Sequence, residues 1–141
     1  MNKKIMALML TLSLGTTALL GATLTIEVSN VTSQKGKVYV GLYTKDKEFP
    51  HLEDAFIKKI VDANSDKVEV TFDDLEEGSY AVAIFHDTND NGVLDKNFIG
   101  FPKEPFAFSN NFKPKFSKPE FEDCSFVLEK EGIKLLVELM D

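Results

Sequence analysis

Apolar and polar residues alternate along most of the chain, and this period of two limits the possible folds more than any other feature. Alternation of this kind predicts β-strands that each bury one face. Residues 79–86, "SYAVAIFH", are apolar on both faces apart from the ends, which predicts a central strand. The clearest alternating segments are residues 24–28, 38–42, 68–72 and 133–139.

Turn sequences such as "SQKG" and "EKEG" separate these segments. Together with "FEDCSFVL" at residues 121–128, they give about seven short strands, which predicts an all-β fold. The arrangement expected is an antiparallel Greek-key sandwich of the immunoglobulin-like kind. The two strands flanking "SQKG" are expected to pair as a hairpin. Residues 51–61, "HLEDAFIKKIV", are instead spaced for a short amphipathic helix behind Pro50.

The stretch "LEEGSY" at residues 75–80 places Gly78 two residues before Tyr80, where a strand begins. In many Greek-key sandwiches, a tyrosine hydroxyl at such a corner bonds back to the backbone just upstream. The pattern therefore predicts a structural hydrogen bond from Tyr80 and no catalytic role.

The N-terminal residues have the layout of a secretory signal peptide. Lys3 and Lys4 precede the apolar run "IMALMLTLSLGTTALLGA", which ends in small residues suited to cleavage near Gly21 or Ala22. Thr, Ser and Gly interrupt the run and no basic stop-transfer cluster follows, which favours a cleaved signal over a permanent membrane anchor. We therefore expect a signal peptide at 1–22 and one exported domain at 23–141, periplasmic or extracellular.

The charge balance argues against nucleic acid as a binding partner. All 16 basic residues are lysine, against 23 acidic residues, for a formal net charge of −7. An acidic chain without arginine is poorly suited to nucleic acid, which requires cationic neutralisation of phosphates. Cations, glycans and extracellular or envelope proteins are the expected partners, and no membrane span is expected after signal cleavage.

Cys124 is the only cysteine, so the chain cannot form an internal disulfide. One interpretation of Cys124 is a reactive thiol or one that forms an intermolecular disulfide. Its place in an apolar segment predicted to be a strand favours a small buried side chain instead.

Residues 87–95, "DTNDNGVLD", carry the strongest functional signal. Numbered from Asp87, side chains with oxygen atoms fall at positions one, three, five and nine, namely Asp87, Asn89, Asn91 and Asp95, with glycine at six. Calcium loops of the EF-hand type use this spacing, because alternate residues of a tight loop direct their oxygens toward one centre. The carbonyl of Val93, at position seven, would add a further ligand. The pattern predicts a Ca²⁺ site.

Two departures from the EF-hand pattern keep a second interpretation open. Position twelve is Phe98 rather than a bidentate glutamate, and a strand, not a helix, is predicted before the loop. Calcium would therefore need another carboxylate, for which Glu104, Glu122 and Asp123 are candidates. The alternative is an Asx-rich turn whose side chains bond only their own backbone.

Residues 98–121 contain seven of the twelve phenylalanines and four of the five prolines. Because proline cannot donate to a strand ladder, this segment is predicted to be a long ordered connection. Its rings could form a ligand surface or close the open end of the sandwich. The absence of tryptophan from the chain, and of tyrosine from this stretch, favours the second role.

The sequence carries no nucleophile elbow and no histidine pair with zinc spacing. We therefore expect a non-enzymatic module of unknown biological role, in which the calcium loop orders the Phe-rich connection. The alternative, from a different class, is an exported hydrolase or transferase that uses His86 and Asp87.

The run "FHDTNDNGVLDKNFIGFPKE", with the "KGKVYVGLY" strand before it and "FEDCSFVLE" after it, resembles the small exported bacterial proteins grouped as domain-of-unknown-function family 2141. The resemblance covers essentially the whole mature chain. It implies an exported β-sandwich similar to transthyretin-like and carboxypeptidase-regulatory-like modules, and it implies no activity.

Overall fold

The computed structural model describes residues 20–141, so residues 1–19 of the predicted signal peptide lie outside the described residues. The described chain contains a single short α-helix, α1 (Phe121–Cys124), and 3-10 turns at Leu52–Asp54 and Ser109–Asn111. Within residues 20–141, no helix has the length and apolar character needed to cross a bilayer. The strands are β1 (Ala22–Ser29), β2 (Lys37–Tyr43), β3 (Ile57–Asp62), β4 (Val68–Leu75), β5 (Gly78–Asp87), β6 (Phe106–Phe108), β7 (Phe126–Leu128) and β8 (Ile133–Glu138).

The strands form two sheets, which confirms the all-β sandwich. One sheet has the order β4-β1-β8, and the other has the order β3-β2-β5-β6, with β7 also paired to β5. Neighbouring strands are antiparallel except β1 and β8, which run parallel. The parallel pair places the C-terminal strand beside the first strand.

Alternation along the strands decides which side chains enter the core between the sheets. Leu24, Ile26 and Val28 point inward from β1 and are 0% exposed, while Thr25 and Glu27 between them are not buried. The inward side chains of β2 are Val38, Val40 and Leu42. Burial of one such aliphatic side chain contributes about 1.5–3 kcal/mol, so this core is the main stabilising element of the fold.

The prediction that residues 79–86 form a central strand is confirmed. Tyr80, Val82 and Ile84 of β5 face the core between the sheets. Ala81 and Ala83 face the opposite side, where they belong to a second apolar cluster. The second cluster also contains Tyr43, Phe49, Phe108, Phe121 and Cys124.

The predicted hairpin between the first two strands is wrong. β1 pairs with β4 and β8, whereas β2 pairs with β3 and β5 in the other sheet. The "SQKG" segment thus carries the chain from one sheet to the other. Alternation identifies the buried face of a strand but does not identify its partner, which is why the pairing could not be derived from it.

The predicted helix at residues 51–61 is also wrong. Only Leu52–Asp54 forms a 3-10 turn, and β3 follows, paired with β2 over six residues. Ile57 and Val61 are four residues apart, a spacing that fits one helix face and also one strand face. Both are β-branched and pack against the core between the sheets, so strand pairing prevails here.

The segment "FEDCSFVL", expected to be one strand, divides into α1 and β7. The backbone N–H of Glu120 donates to Asp123 Oδ2 at 2.8 Å, a capping contact that stabilises the first turn of the helix. Cys124 is 0% exposed, as expected for a buried apolar residue. Burial, assisted by the charge of Asp123, raises the pKa of its thiol to about 12.

The corner hydrogen bond predicted for Tyr80 is present. The Tyr80 hydroxyl donates to the Glu76 carbonyl oxygen at 2.7 Å, and the residue is 5% exposed. Burial, with a smaller effect from the charge of Glu76, raises the pKa of the phenol. The bond ties the start of β5 to the turn that precedes it.

We expect Tyr80→Phe to lower the free energy of unfolding by about 1 kcal/mol, because the Glu76 carbonyl loses its partner while the ring stays packed. Urea denaturation should show a lower midpoint with an unchanged m-value. Ligand binding should not change. A midpoint equal to that of the wild type would mean that the bond contributes nothing to stability.

Candidate functional site

The segment from residue 87 to residue 95, called here the Asp87–Asp95 loop, begins at the last residue of the central strand β5. Asp87 is 0% exposed, and its side chain accepts hydrogen bonds from the backbone of the loop. The donors are the N–H groups of Asn91, at 3.2 Å, and Gly92, at 2.8 Å. Gly92 has a φ of +81°, which its lack of a Cβ permits. Asp87 therefore holds the loop in a closed turn.

The Asp95 carboxylate accepts hydrogen bonds from both asparagine side chains of the loop. The Asn89 amide donates to Asp95 Oδ2 at 2.7 Å, and the Asn91 amide donates to both oxygens of Asp95, at 2.9 and 3.1 Å. Three of the four side chains predicted as ligands are thus joined to one another, and the fourth, Asp87, bonds the backbone of the same loop. Val93 has its side chain in solvent and donates its N–H to Asn91 Oδ1 at 3.2 Å.

The donor set of this loop suits a hard cation and not a transition metal. No group of three or more His, Cys, Asp or Glu side chains within residues 20–141 is arranged to hold a metal ion. A cation would therefore depend on two carboxylates, from Asp87 and Asp95, with amide and carbonyl oxygens. Rotation of an asparagine amide exchanges its nitrogen for an oxygen of similar size, so Asn89 and Asn91 can present either. Such an all-oxygen set is the kind that calcium accepts.

Glu104 holds the Asp87–Asp95 loop from outside. It is 6% exposed, and its Oε1 accepts from the Thr88 N–H at 3.0 Å and from the Thr88 hydroxyl at 3.3 Å. Its Oε2 accepts from the Asp95 N–H at 3.0 Å. One carboxylate thus connects both ends of the loop, a role that the spacing of residues 87–95 did not reveal.

The other two carboxylates considered as extra ligands are engaged at α1. Glu122 pairs with Lys45 at 3.2 Å, and a backbone hydrogen bond within its own turn, followed by Lys45, lowers its pKa. Asp123 accepts from the Glu120 N–H. Phe98, at the position where an EF-hand has its glutamate, is fully exposed at 101%. Of the three candidates, Glu104 is the one whose carboxylate contacts the loop.

His86 and Asp87, the pair named in the enzymatic alternative, are both 0% exposed. His86 Nε2 is 2.7 Å from the Lys35 carbonyl oxygen, while Nδ1 has no hydrogen-bond partner among the described residues. The Asp87 carboxylate is bound to the loop backbone. Neither side chain reaches the surface, so their positions give the hydrolase or transferase alternative no support.

The phenylalanines of residues 98–121 divide between two environments. Four of the seven belong to the second apolar cluster or pack against it: Phe106, Phe108, Phe112 and Phe121. These rings pack on the face of β5 opposite the core between the sheets, whereas the prediction placed them at the open end of the sandwich. Phe98, Phe101 and Phe116 are exposed instead, at 101%, 57% and 98%. The Phe-rich connection therefore both covers β5 and presents apolar surface.

Residues 26–135 match the model of a bacterial family described as "Uncharacterized protein conserved in bacteria (DUF2141)". The matched range runs from within β1 to within β8 and includes the whole Asp87–Asp95 loop and the Phe-rich connection. No match to the chain was found among curated proteins or among solved structures.

Proposed function

The chain belongs to this family of uncharacterised bacterial proteins, and we propose that it is an exported, non-enzymatic β-sandwich module whose Asp87–Asp95 loop binds calcium. The observation that carries the proposal is that the four side chains with the spacing of a calcium loop all bond within the loop: Asn89 and Asn91 contact the Asp95 carboxylate, and Asp87 holds the backbone N–H of Asn91. Export rests on the signal-like residues 1–22.

The proposed ligands are the side-chain oxygens of Asp87, Asn89, Asn91 and Asp95, with the backbone carbonyl of Val93. Asp87 already has a fixed position, because two N–H groups hold it and it is buried. A bound calcium ion would supply the positive charge that balances both carboxylates. The amide groups of Asn89 and Asn91, which donate to Asp95, would turn their oxygens toward the ion.

The same loop is coupled to the Phe-rich connection through Asp95. Its N–H donates to Glu104, and its carbonyl accepts from the Lys103 N–H at 2.7 Å. Two residues further on, the Pro105 carbonyl accepts from the His86 N–H at 2.8 Å, next to β6. A cation that fixes Asp95 would therefore also fix residues 103–105 of the connection.

We expect calcium to stabilise the mature domain. A ligand that binds only the folded state adds RT ln(1 + [L]/Kd), so calcium at ten times Kd contributes about 1.4 kcal/mol. That corresponds to a rise in Tm of roughly 5 °C for a domain of this size. Extracellular modules bind calcium with Kd of about 10⁻⁴–10⁻³ M, which sets the range to titrate. The measurement is differential scanning calorimetry from a chelator-treated baseline at constant ionic strength.

Matched variants test whether the calcium-induced rise in Tm comes from the Asp87–Asp95 loop. Asp95→Asn should abolish the calcium shift, and so should Asp87→Ala. Asp90→Asn makes the same substitution at a non-ligand position, where the side chain is exposed and lies 3.9 Å from Lys37, so it should keep the shift. Magnesium should give a smaller shift, because its octahedral shell tolerates this irregular set poorly. Equal shifts with both ions in all variants would identify the loop as a capped Asx turn without a cation site.

A further inference from the structure

A cavity of about 350 Å³ lies on the outer face of the five-stranded sheet, on the side of β5 away from the core. Its floor is formed by Ala83 and Phe85 of β5 with Phe106 and Phe108 of β6. The two β6 rings meet edge to face with centroids 5.8 Å apart, so the floor is packed and apolar. This volume is within the range of about 300–1,000 Å³ that is typical of small-molecule sites.

Two segments form the walls, one that runs into the Phe-rich connection and one that lies within it. One wall belongs to residues 94–102 and the other to residues 114–119. Ile99, Phe101 and Phe116 line the cavity and yet are exposed, at 64%, 57% and 98%. Apolar side chains gathered around a concave surface, unlike scattered ones, indicate a binding site.

The charge of the lining is opposite to that of the protein. The chain has a net charge of −7, but the lining contains Lys96, Lys115 and Lys118 and no acidic residue. None of these lysines forms an ion pair with a carboxylate among residues 20–141. Lys118 Nζ instead lies 3.0 Å from His51 Nε2, another lining residue. An apolar floor below cationic walls therefore favours a ligand that has one apolar part and one negatively charged part.

We infer that this cavity binds a small amphiphilic carboxylate, with its apolar tail on the aromatic floor and its charge beside the wall lysines. The three lysines come from both walls, so a single compact negative charge at the mouth can approach either side. Lysine suits such a role, because its ammonium is a point charge on a flexible stem. The proposed site shares Leu94 with the Asp87–Asp95 loop but none of the proposed calcium ligands, and it does not require calcium.

Three probes with the same tail and different head groups test the inference: decanoate, decan-1-ol and decyltrimethylammonium. Each is titrated into ¹⁵N-labelled mature domain, in chelator, and followed by amide chemical shifts, the two ions below their micelle concentrations and decan-1-ol below its solubility limit. Decanoate should bind saturably, with shifts centred on β5, β6 and the two walls. It should bind at least tenfold more tightly than the alcohol or the cation, and tenfold corresponds to about 1.4 kcal/mol.

Lysine variants test the charge contribution without disturbing the core. The triple variant Lys96→Gln, Lys115→Gln, Lys118→Gln should weaken decanoate binding about tenfold, toward that of decan-1-ol. The control, Lys35→Gln, Lys58→Gln, Lys130→Gln, removes the same charge from exposed positions outside the lining and should leave binding within about twofold. Equal weakening in both variants would indicate only a change in net charge and would overturn the inference.

Two further outcomes would also overturn it. One is decanoate binding that is non-saturable, or no tighter than binding of decan-1-ol. The other is sedimentation of the protein with anionic phospholipid vesicles, abolished by Phe98→Ser with Phe116→Ser, while decanoate gives no shifts at the cavity. That second result would assign the exposed rings to a membrane surface rather than to a small ligand.

Discussion

Replacing Glu104 by alanine should lower the free energy of unfolding by about 3 kcal/mol, a large effect for one residue in a connecting segment. The Glu104 carboxylate is buried and accepts three hydrogen bonds, two from Thr88 and one from Asp95. Hydrogen bonds to a charged group contribute about 1.5–3 kcal/mol each, and their loss would leave two backbone N–H groups unpaired in a partly buried site. Urea denaturation measures the loss.

Glu77→Ala is the matched control for this variant. Glu77 also accepts a backbone hydrogen bond, from the Lys130 N–H at 2.8 Å, but it lies at the surface, where water replaces a lost partner. Its substitution should cost less than about 1 kcal/mol. Glu104→Gln should fall between the two, because an amide retains one acceptor oxygen. Equal losses for Glu104→Ala and Glu77→Ala would show that the hydrogen bonds of Glu104 to Thr88 and Asp95 stabilise the fold no more than an exposed contact does.

Burial along the strands could be predicted from the sequence because it depends on local order. Leu24, Ile26 and Val28 are buried because a strand points alternate side chains to opposite faces, whatever its neighbours are. The Tyr80 bond to Glu76 was predictable for the same reason, since it spans only four residues. Strand partners are not local, and the pairing of β1 with β4 and β8 depends on how complete sheets pack.

In the Asp87–Asp95 loop, too, local contacts could be predicted and long-range contacts could not. Contacts among Asp87, Asn89, Asn91 and Asp95 follow from spacing within nine residues, and the structure contains them. Glu104 contacts Thr88 across sixteen residues, and no pattern within the loop specifies that contact. Two of the three wall lysines, Lys115 and Lys118, carried only a weak signal, their alternation with phenylalanine and proline in "FKPKFSKP", and Lys96 lies outside that run. The cavity also requires the sheet as its floor, and the sequence pattern does not predict that the sheet lies beneath these lysines.

Gly36 links the packing of the sheet to the geometry of the Asp87–Asp95 loop. It immediately precedes β2, has a φ of +72°, and lies against the last residue of β5. A Cβ at this position would be 1.8 Å from the Asp87 carbonyl oxygen and 2.9 Å from its carbonyl carbon. Neither atom can rotate away, because both belong to the backbone of a central strand. Only glycine allows β2 to start beside Asp87.

Gly36→Ala should therefore lower the free energy of unfolding by about 3 kcal/mol. A left-handed backbone costs a residue with a Cβ roughly 1–2 kcal/mol, and forced displacement of packed atoms costs about 1–3 kcal/mol more. Gly100→Ala separates the two contributions. Gly100 has a φ of +91°, and a Cβ added there would have no atom within 4 Å, so only the first cost applies. Urea denaturation of both variants gives the difference.

The same variant also tests whether the loop depends on the sheet for its shape. Displacement of the Asp87 backbone moves the carboxylate that holds the Asn91 and Gly92 N–H groups, so Gly36→Ala should lose the calcium shift as well as stability. Gly100→Ala should keep the calcium shift, because Gly100 lies beyond the loop and in open space. A Gly36→Ala protein that is destabilised yet responds fully to calcium would show that the loop adopts its binding geometry without support from β2.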